Sequence, residues 1–317
     1  MNNESKRGRW QLAVVIPTRN RPSKVAECLS ALAKQDSKGV PIIIVASGTD
    51  IEHIVSQYRN CLDITYLFTE KRGQITQRNI GIKLALDSGV DYVGFLDDDV
   101  IMEADGFNEI ERFITDRRDQ GEIDFGLGFN IIKEETDSAY GWKERIKQLL
   151  GVVGGRPGSI TKAGFTAGFS NLSENILSDW LGGGYTIWSR KILEEFPQKA
   201  LTTSYAGGED LRHSYPIGKR YPLYACARIR VVISEVESRD LALIRSRHKA
   251  DTVARLFFCD QHPEFSGLLC ISTMLIFSIA GLAFGGKKSW VKLIACGEGV
   301  AWYFKRKNKG AQVLEID

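Results

Sequence analysis

Three consecutive carboxylates, Asp97, Asp98 and Asp99, directly follow a short apolar run in the segment VDYVGFLDDDV. Carboxylates this close together repel each other unless a positive group lies between them. Hard divalent cations such as Mg²⁺ and Mn²⁺ prefer oxygen ligands and are often held by one or two carboxylates together with phosphate oxygens. The triplet therefore indicates a site for a divalent metal and a phosphate; a solvated acidic turn is the alternative interpretation.

A second pair of carboxylates, Glu209 and Asp210, follows two glycines in the segment YAGGEDL. A carboxylate in a reaction site can accept a proton as a general base, although its reference pKa is only ~4. The alternative is that both residues merely favour a helix N-terminus electrostatically. His213 would share a helix face with Asp210, and we interpret it as structural rather than catalytic.

Strands and helices must alternate around the acidic triplet to position it. Four apolar runs predict buried strands, at residues 12–16, 41–46, 64–68 and 93–96. The first of these strands is predicted to stop at Pro17. Apolar residues at helical spacing predict helices after Pro22 and over residues 74–87. Such alternation builds a largely parallel sheet, whose ligands bind beyond the carboxyl ends of the strands.

Composition excludes several classes of protein. The 317 residues, 43% hydrophobic and 26% charged, describe a globular chain with one large α/β domain plus an appendage, or two domains. A net charge of +3 and the lack of a basic patch in the first 240 residues argue against nucleic acid as a partner. Six cysteines without a CxxC pair favour reduced thiols in the cytosol. Residues 1–10 are expected to be disordered and carry no apolar signal-peptide core.

The tail differs from the rest of the chain. Residues 265–286 are 22 residues without a charge, long enough to cross a bilayer, which needs ~20 apolar residues. Basic and aromatic residues typical of a membrane interface follow: Lys287, Lys288, Trp290, Lys292, Trp302, Tyr303, Lys305, Arg306, Lys307 and Lys309. A buried core helix is the alternative.

Five segments in this order resemble glycosyltransferase family 2, over roughly residues 11–240. VVIPTRNR resembles the opening strand and nucleotide-binding turn, QITQRNIGI the start of a helix that follows, and FLDDDV the DxD signature. WLGGGYTIWSRKIL resembles the acceptor-side glycine segment, and GGEDLRHSYPIGKRYPLY the helix that begins with Glu-Asp. The resemblance implies the α/β GT-A fold, with a mostly parallel central sheet flanked by helices. Residues 11–245 would be the catalytic domain and residues 246–317 a C-terminal helical membrane-associating region.

The resemblance also implies an inverting transfer from a nucleotide-diphosphate sugar to a hydroxyl of a lipid-linked or cell-surface glycan, with a UDP-sugar as the favoured donor. Asp99 and Asp97 would hold Mg²⁺ or Mn²⁺, which stabilises the leaving diphosphate, and Asp210 would be the general base. The nucleotide sugar would contact Pro17, Thr18, Arg19, Asn20, Ser47, Arg78, Asn79, Asp97 and Asp98. The acceptor would contact Trp180, Gly183, Gly184 and Glu209.

Two positions depart from the family pattern. Many members have a base-reading acidic residue after the second strand, where this chain has Ala46 and Ser47. Many also have a histidine metal ligand where this chain has Ser234, with Glu235 adjacent. We therefore expect weak metal binding, through Asp99 and phosphates alone or with help from Glu235. A catalytically silent GT-A module that binds glycan or a partner stays an open alternative. A sugar nucleotidyltransferase is a further alternative, although such an enzyme would have a glycine-rich loop where this chain has TRNRP.

The resemblance finally implies a location. Nucleotide sugars are cytoplasmic, so the catalytic domain would lie at the cytoplasmic face of the inner membrane. A single span would place the basic tail outside, against the positive-inside tendency. We therefore expect residues 265–309 to attach to the membrane surface as a monotopic, re-entrant or hairpin element.

Overall fold

The structure is a computed structural model, and it describes residues 10–133, 156–199, 208–234, 240–282 and 286–307. The strands are β1 (Leu12–Arg19), β2 (Ile42–Ser47), β3 (Ile64–Phe68), β4 (Tyr92–Leu96), β5 (Val100–Met102), β6 (Gly126–Ile131), β7 (Ile176–Leu177), β8 (Tyr185–Ser189) and β9 (Leu223–Ile233). The helices are α1 (Pro22–Ala33), α2 (Glu52–Val55), α3 (Gln74–Asp87), α4 (Gly106–Asp119), α5 (Arg190–Glu195), α6 (Glu209–Gly218), α7 (Leu241–Gln261), α8 (Gly267–Leu282) and α9 (Gly286–Lys307). A 3₁₀ turn covers Ser56–Tyr58.

The described strands form one sheet in the order β3-β2-β1-β4-β8-β6-β9-β5, with β7 paired to β9. The strands β3, β2, β1 and β4 are parallel neighbours, as predicted. Antiparallel β8 lies between β4 and β6, whereas β6 and β9 are parallel to each other. Strands β5 and β7 pair antiparallel with β9. The sheet is therefore mixed, with most of its described strands running in one direction.

Strand β1 continues through Pro17 to Arg19, so the prediction that it stops at Pro17 was wrong. Proline cannot donate to a strand ladder and is tolerated where one side of the strand is free. β4 pairs with β1 only as far as the Val15–Phe95 register, whereas β2 continues to the Arg19–Ser47 register. Beyond Val15, β2 is the one described strand that pairs with β1, and the polar end of β1 extends past its neighbour β4.

Both faces of the sheet are covered, which explains the continuous apolar runs. Successive residues of β1 point to opposite faces, with Val14 and Ile16 in one core and Ala13 and Val15 in the other. Helices α1 and α4 contribute to the first core, and α3 and α5 to the second. The predicted helix at residues 74–87 is confirmed as α3.

The C-terminal helices α7, α8 and α9 pack together, and a third core joins them to α6. In this core Leu211 and Tyr215 of α6 contact a cluster that includes Val253 and Phe257 of α7. The domain boundary predicted between residues 245 and 246 falls inside α7 and stays a prediction. Among the described helices, none combines the length and apolar character needed to cross a membrane. The apolar stretch predicted at residues 265–286 includes α8, which has 16 residues.

Candidate functional site

The acidic triplet lies at the carboxyl end of β4, beside the extended end of β1. The backbone N–H of Asp97 donates to the carbonyl of Gly184 over 2.8 Å, which continues the β4–β8 pairing into the triplet. The hydroxyl of Thr18, near the end of β1, donates to Oδ2 of Asp98 over 2.6 Å. The topology therefore brings Thr18 and the triplet together at one edge of the sheet, where ligands of open α/β sheets bind.

Arg21 supplies a positive charge to this edge. Its Nη1 donates to Oδ1 of Asp98 over 2.8 Å and to Oδ2 of Asp99 over 3.0 Å. Burial raises the pKa of the Asp98 carboxyl, while the bonds from Thr18 and Arg21 act in the opposite direction. The sequence interpretation named Arg19 and Asn20 of this turn and missed Arg21. The signal was present, because TRNRP places a second arginine close to three carboxylates.

The residues present fit a hard cation held largely by phosphate oxygens. The described residues contain no cluster of three or more His, Cys, Asp or Glu side chains able to hold a metal. Both oxygens of Asp98 already accept hydrogen bonds, whereas Asp99 uses only Oδ2 for its contact with Arg21. One or two carboxylates, such as Asp99 with Asp97, beside a diphosphate are an arrangement that Mg²⁺ accepts. Ser234 bonds to the carbonyl of Asp99 with its backbone N–H and its hydroxyl, and Glu235 lies outside the described residues.

A buried arginine joins Asp97 to the second carboxylate pair. Arg78 is 2% exposed, and its Nη2 donates to Oδ1 of Asp97 over 2.7 Å. Its Nη1 lies 3.4 Å from Oε1 of Glu209, and its guanidinium carbon lies 5.9 Å from the centre of the Phe95 ring. Gln74 at the start of α3 also donates to Oδ1 of Asp97, over 2.9 Å. Arg78 therefore holds the end of β4 and the beginning of α6 in one constellation.

Glu209 and Asp210 open α6 directly after Gly208, whose φ of 66° is left-handed and favours glycine. Burial raises the pKa of Glu209 to about 8 and raises the pKa of Asp210, while Arg78 lowers both. The backbone N–H of Gly183 donates to Asp210 and opposes the rise in its pKa. A carboxylate whose pKa is moved toward neutrality is a better general base than an exposed one. Two carboxyls that interact strongly titrate as a pair.

The triple glycine permits backbone to approach both acidic groups. A Cβ added at Gly183 would overlap the Asp210 carboxylate, and one added at Gly184 would overlap the Asp97 carboxylate. No residue larger than glycine fits at either position unless these carboxylates move. Positions 183 and 184 therefore set how closely the two acidic groups approach β8.

Gly184→Ala is expected to lower the free energy of unfolding by about 1–3 kcal/mol, the usual cost of inserting a methyl group into a filled site. The matched control is Gly168→Ala, because a Cβ at Gly168 meets open space. Urea unfolding of both variants measures the difference. Equal stability of the two variants would show that the Asp97 side chain moves aside without lowering the free energy of unfolding.

Other predicted nucleotide contacts lie around the ends of β1 and β2. Asn20 has a left-handed φ of 57°, and its Oδ1 accepts from the backbone N–H of Thr49 over 2.9 Å. Ser47 is buried, and its hydroxyl has no hydrogen-bond partner among the described residues. Pro17 lies in register with Val45, and Arg19 is exposed. The structure thus places these four residues at the same sheet edge as Thr18, and their contacts with a nucleotide stay predictions.

Two predicted site residues make contacts within the protein. Asn79 donates to the carbonyl of Gln198 over 2.9 Å and ties α3 to the segment after α5. Trp180 donates from Nε1 to the carbonyl of Ala167 over 3.1 Å and packs against Phe169. Stacking of Trp180 on an acceptor sugar and binding of a nucleotide by Asn79 stay predictions.

A cavity of about 410 Å³ lies beside the catalytic candidates. Arg78, Glu209 and Asp210 line it together with Trp188 and His213. The ring of His213 lies 5.5 Å from that of Trp188 in an edge-on arrangement. Burial, followed by the charge of Arg78, lowers the pKa of His213 to about 4, so the imidazole is neutral at physiological pH.

Solved structures with the same fold include glycosyltransferases. The mannosyltransferase PcManGT from Pyrobaculum calidifontis, in complex with GDP-Man and Mn²⁺, is similar with a TM-score of 0.54 at 16% identity, over 95% of this chain and 83% of that one. S. aureus TarS 1-349 in complex with UDP-GlcNAc is similar with a TM-score of 0.51 at 14% identity, over 95% and 92% of the two chains. A longer S. aureus TarS chain gives a TM-score of 0.50 at 15% identity over 92% of this chain, which spans about half (54%) of that protein's length. These identities establish the GT-A-like fold alone.

No curated protein sequence matched the chain. The sequence profile described as Glycosyl transferase family 2 matches residues 13–171, half of the chain, and this match includes the end of β1, the start of α3 and the acidic triplet. The chain therefore belongs to glycosyl transferase family 2.

Proposed function

We propose that this family 2 glycosyltransferase moves a sugar from a UDP-sugar to a hydroxyl of a lipid-linked or cell-surface glycan, with inversion at the anomeric carbon. The observation that supports this most directly is the buried contact of Arg78 with both Asp97 and Glu209. It brings the donor-side carboxylates of β4 next to Glu209 and Asp210 on α6. A sugar held at Asp97 would therefore have a proton acceptor within the same constellation.

The donor site is proposed at the ends of β1, β2 and β4. Thr18 and Asp98 are bonded to each other there, and the side chain of Asp97 remains about one quarter exposed. The printed ligands of the two similar structures, UDP-GlcNAc and GDP-Man, are both nucleotide-diphosphate sugars and support this donor class. The choice of UDP is part of the proposal.

Asp99, with Asp97, would hold Mg²⁺ or Mn²⁺ together with the diphosphate. When bound, the cation supplies Lewis-acid stabilisation of the charge that develops on the leaving group. Arg21 would give up its contact with Asp99 as the diphosphate binds, and its guanidinium would then be available to a phosphate oxygen.

Arg21→Ala is expected to tighten Mn²⁺ binding to the nucleotide-free protein several-fold, because it removes a cation that competes for Asp98 and Asp99. A partly exposed ion pair is worth about 1 kcal/mol at most, and ~1.4 kcal/mol corresponds to a tenfold change in affinity. Electron paramagnetic resonance titration of free Mn²⁺ measures the effect. Arg19→Ala, in the exposed position two residues earlier, is the control, and an unchanged or weaker affinity in Arg21→Ala would contradict competition.

Asp210 is proposed as the general base. It lies at the N-terminus of α6 beside the Gly183 N–H, and its raised pKa favours uptake of the proton that the acceptor hydroxyl loses. Glu209, the neighbouring carboxyl, would orient the acceptor. Attack by the hydroxyl from the side opposite the departing diphosphate would invert the anomeric centre.

Thermal unfolding with a panel of UDP-, GDP-, dTDP- and CMP-sugars, with and without Mn²⁺, tests the donor. A ligand at 100 times its Kd adds ~2.7 kcal/mol to the folded state, which is readable as a rise in Tm. We expect a metal-dependent rise with one nucleotide, lost in Asp99→Ala. Metal-dependent hydrolysis of the same nucleotide sugar would support an enzyme, whereas the lack of any shift would favour a catalytically silent module.

The C-terminal helices are proposed to rest on the cytoplasmic face of the inner membrane. Helix α8 exposes Leu268 (81%), Ile279 (58%) and Leu269 (48%), and α9 exposes Trp290 (58%). Exposed Lys287 and Lys305 lie on α9, and basic residues beside exposed apolar ones are typical of helices that bind anionic lipid surfaces.

Flotation with vesicles of phosphatidylglycerol and phosphatidylcholine tests this, and the double variant Leu268→Glu, Ile279→Glu is expected to lose binding. Equal flotation of wild type and variant would exclude this surface.

A further inference from the structure

The cavity beside Glu209 and Asp210 carries a set of polar atoms without partners. Among the described residues, five side chains that line it each have a buried nitrogen or oxygen with no hydrogen bond: Arg78 Nε, Gln198 Oε1, Glu209 Oε2, Arg212 Nε and His213 Nε2. Buried polar groups in folded proteins are almost always paired, and each unpaired one is costly. Five such atoms in side chains that line one cavity are available to pair with a polar group bound in it.

The set contains both donors and acceptors. Arg212 Nε can only donate, Gln198 Oε1 can only accept, and the neutral imidazole of His213 can do either at its Nε2. Burial lowers the pKa of the Arg212 guanidinium, while the charge of Glu209 raises it, and the Nε of Arg212 has no hydrogen-bond partner among the described residues. A simple anion would use the donors and leave Gln198 unpaired. A group that donates and accepts at once satisfies both kinds of atom.

Part of the remaining wall is apolar: Phe95, Leu181, Trp188, Phe196 and Pro197 line it, beside the charged Glu195 and Lys199. The volume of about 410 Å³ exceeds what a single small substituent needs and is in the range of small-ligand pockets. A secondary amide with a methyl group matches this wall, because its N–H, its C=O and its methyl group each find a complementary partner type.

We propose that this cavity binds the N-acyl group of an acetamido sugar, with Gln198 accepting from the amide N–H and Arg212 or His213 donating to its carbonyl. The methyl group would pack on the apolar wall. Small rotations of these side chains toward the cavity would pair atoms that are unpaired in the free protein. This inference rests on the proposed function, since the cavity adjoins the constellation in which the sugar would react, and it specifies which sugars are used.

Saturation-transfer NMR with free N-acetylglucosamine and with glucose tests the cavity without requiring a nucleotide. We expect saturation of the N-acetyl methyl group by the wild type, and at least about tenfold weaker saturation of glucose. Gln198→Leu removes an unpaired buried oxygen and is expected to fold normally, yet to weaken N-acetylglucosamine binding about 3- to 10-fold, the range of a neutral hydrogen bond. Gln261→Leu, an exposed residue at the rim of the same cavity, is the control and is expected to bind as the wild type does.

The failure of this inference is distinguishable from that of the proposed function. Absence of methyl saturation, or equal binding by Gln198→Leu and wild type, would overturn the amide pocket even if nucleotides bind. Methyl saturation that Gln198→Leu weakens, in a protein that binds none of the nucleotides, would retain the pocket and reject the proposed donor. If UDP-GlcNAc displaces free N-acetylglucosamine while UDP-glucose leaves it bound, the pocket reads the donor sugar; if both UDP-sugars leave it bound, it reads the acceptor.

Discussion

Asp210→Asn is expected to lower the rate of sugar transfer by about 10²–10⁴-fold, the usual contribution of a general base. Asparagine has nearly the same shape, and its carbonyl oxygen can still accept the Gly183 N–H, so the start of α6 should keep its position. An amide nitrogen cannot take the proton of the acceptor hydroxyl. Turnover should fall, while nucleotide-sugar binding, measured by calorimetry, should be retained.

Asp179→Asn is the matched control for this experiment. Asp179 is an aspartate with a partly exposed side chain, and its only described ion pair is with exposed Arg156 at 3.0 Å. The control should transfer sugar at nearly the wild-type rate. An Asp210→Asn protein that keeps more than a tenth of wild-type turnover would show that another group accepts the proton.

Arg78→Met is expected to destabilise the fold by about 3–5 kcal/mol at neutral pH, as is usual when one partner of a buried ion pair is removed. Methionine replaces the apolar part of the side chain but leaves Asp97, Glu209 and Asp210 without their shared cation. Arg156→Met is the control, since the partly exposed pair with Asp179 should contribute about 0–1 kcal/mol.

The pH dependence of Arg78→Met has a definite sign. In the wild type, burial already raises the folded-state pKa of Glu209 to about 8, and loss of Arg78 would raise it further. A carboxyl with a raised folded-state pKa contributes stability below its unfolded value, and this is lost as the pH rises through the folded value. Urea unfolding at pH 5 and pH 8 should therefore show a larger loss at pH 8. Equal losses at both pH values would contradict uncompensated carboxylates as the cause.

The sequence predicted the local elements around the site well, because they depend on local patterns. Helix α3 begins and ends where helical spacing indicated. The carboxylates at positions 97–99 directly follow the end of β4, and those at positions 209–210 open α6. The predicted end of β1 was wrong because the effect of Pro17 depends on how far β4 extends beside it. That distance is a property of the sheet and cannot be read from the strand itself.

The partners of the charges could not be predicted from spacing. Arg78 and Glu209 are 131 residues apart in sequence, and Arg21 and Asp99 are 78 apart. Which long side chain reaches which carboxylate depends on how β1, β4 and α6 meet. The cavity lined by Gln198 and His213 could not be predicted for the same reason, because its walls come from segments that are distant in the chain.

Helix α6 contributes side chains both to the cavity and to the core of the C-terminal helices, so these two parts of the protein are not structurally independent. Asp210 and His213 line the cavity, whereas Leu211 and Tyr215 lie in the core shared with α7, α8 and α9. The match to the family profile ends at residue 171, before α6 and the C-terminal helices begin. Substitutions in α7, α8 or α9 are therefore expected to shift the position of Asp210 while they leave the proposed donor site intact. Exchanging these three helices between related enzymes is expected to change the position of the proposed general base, even though α6 itself is not exchanged.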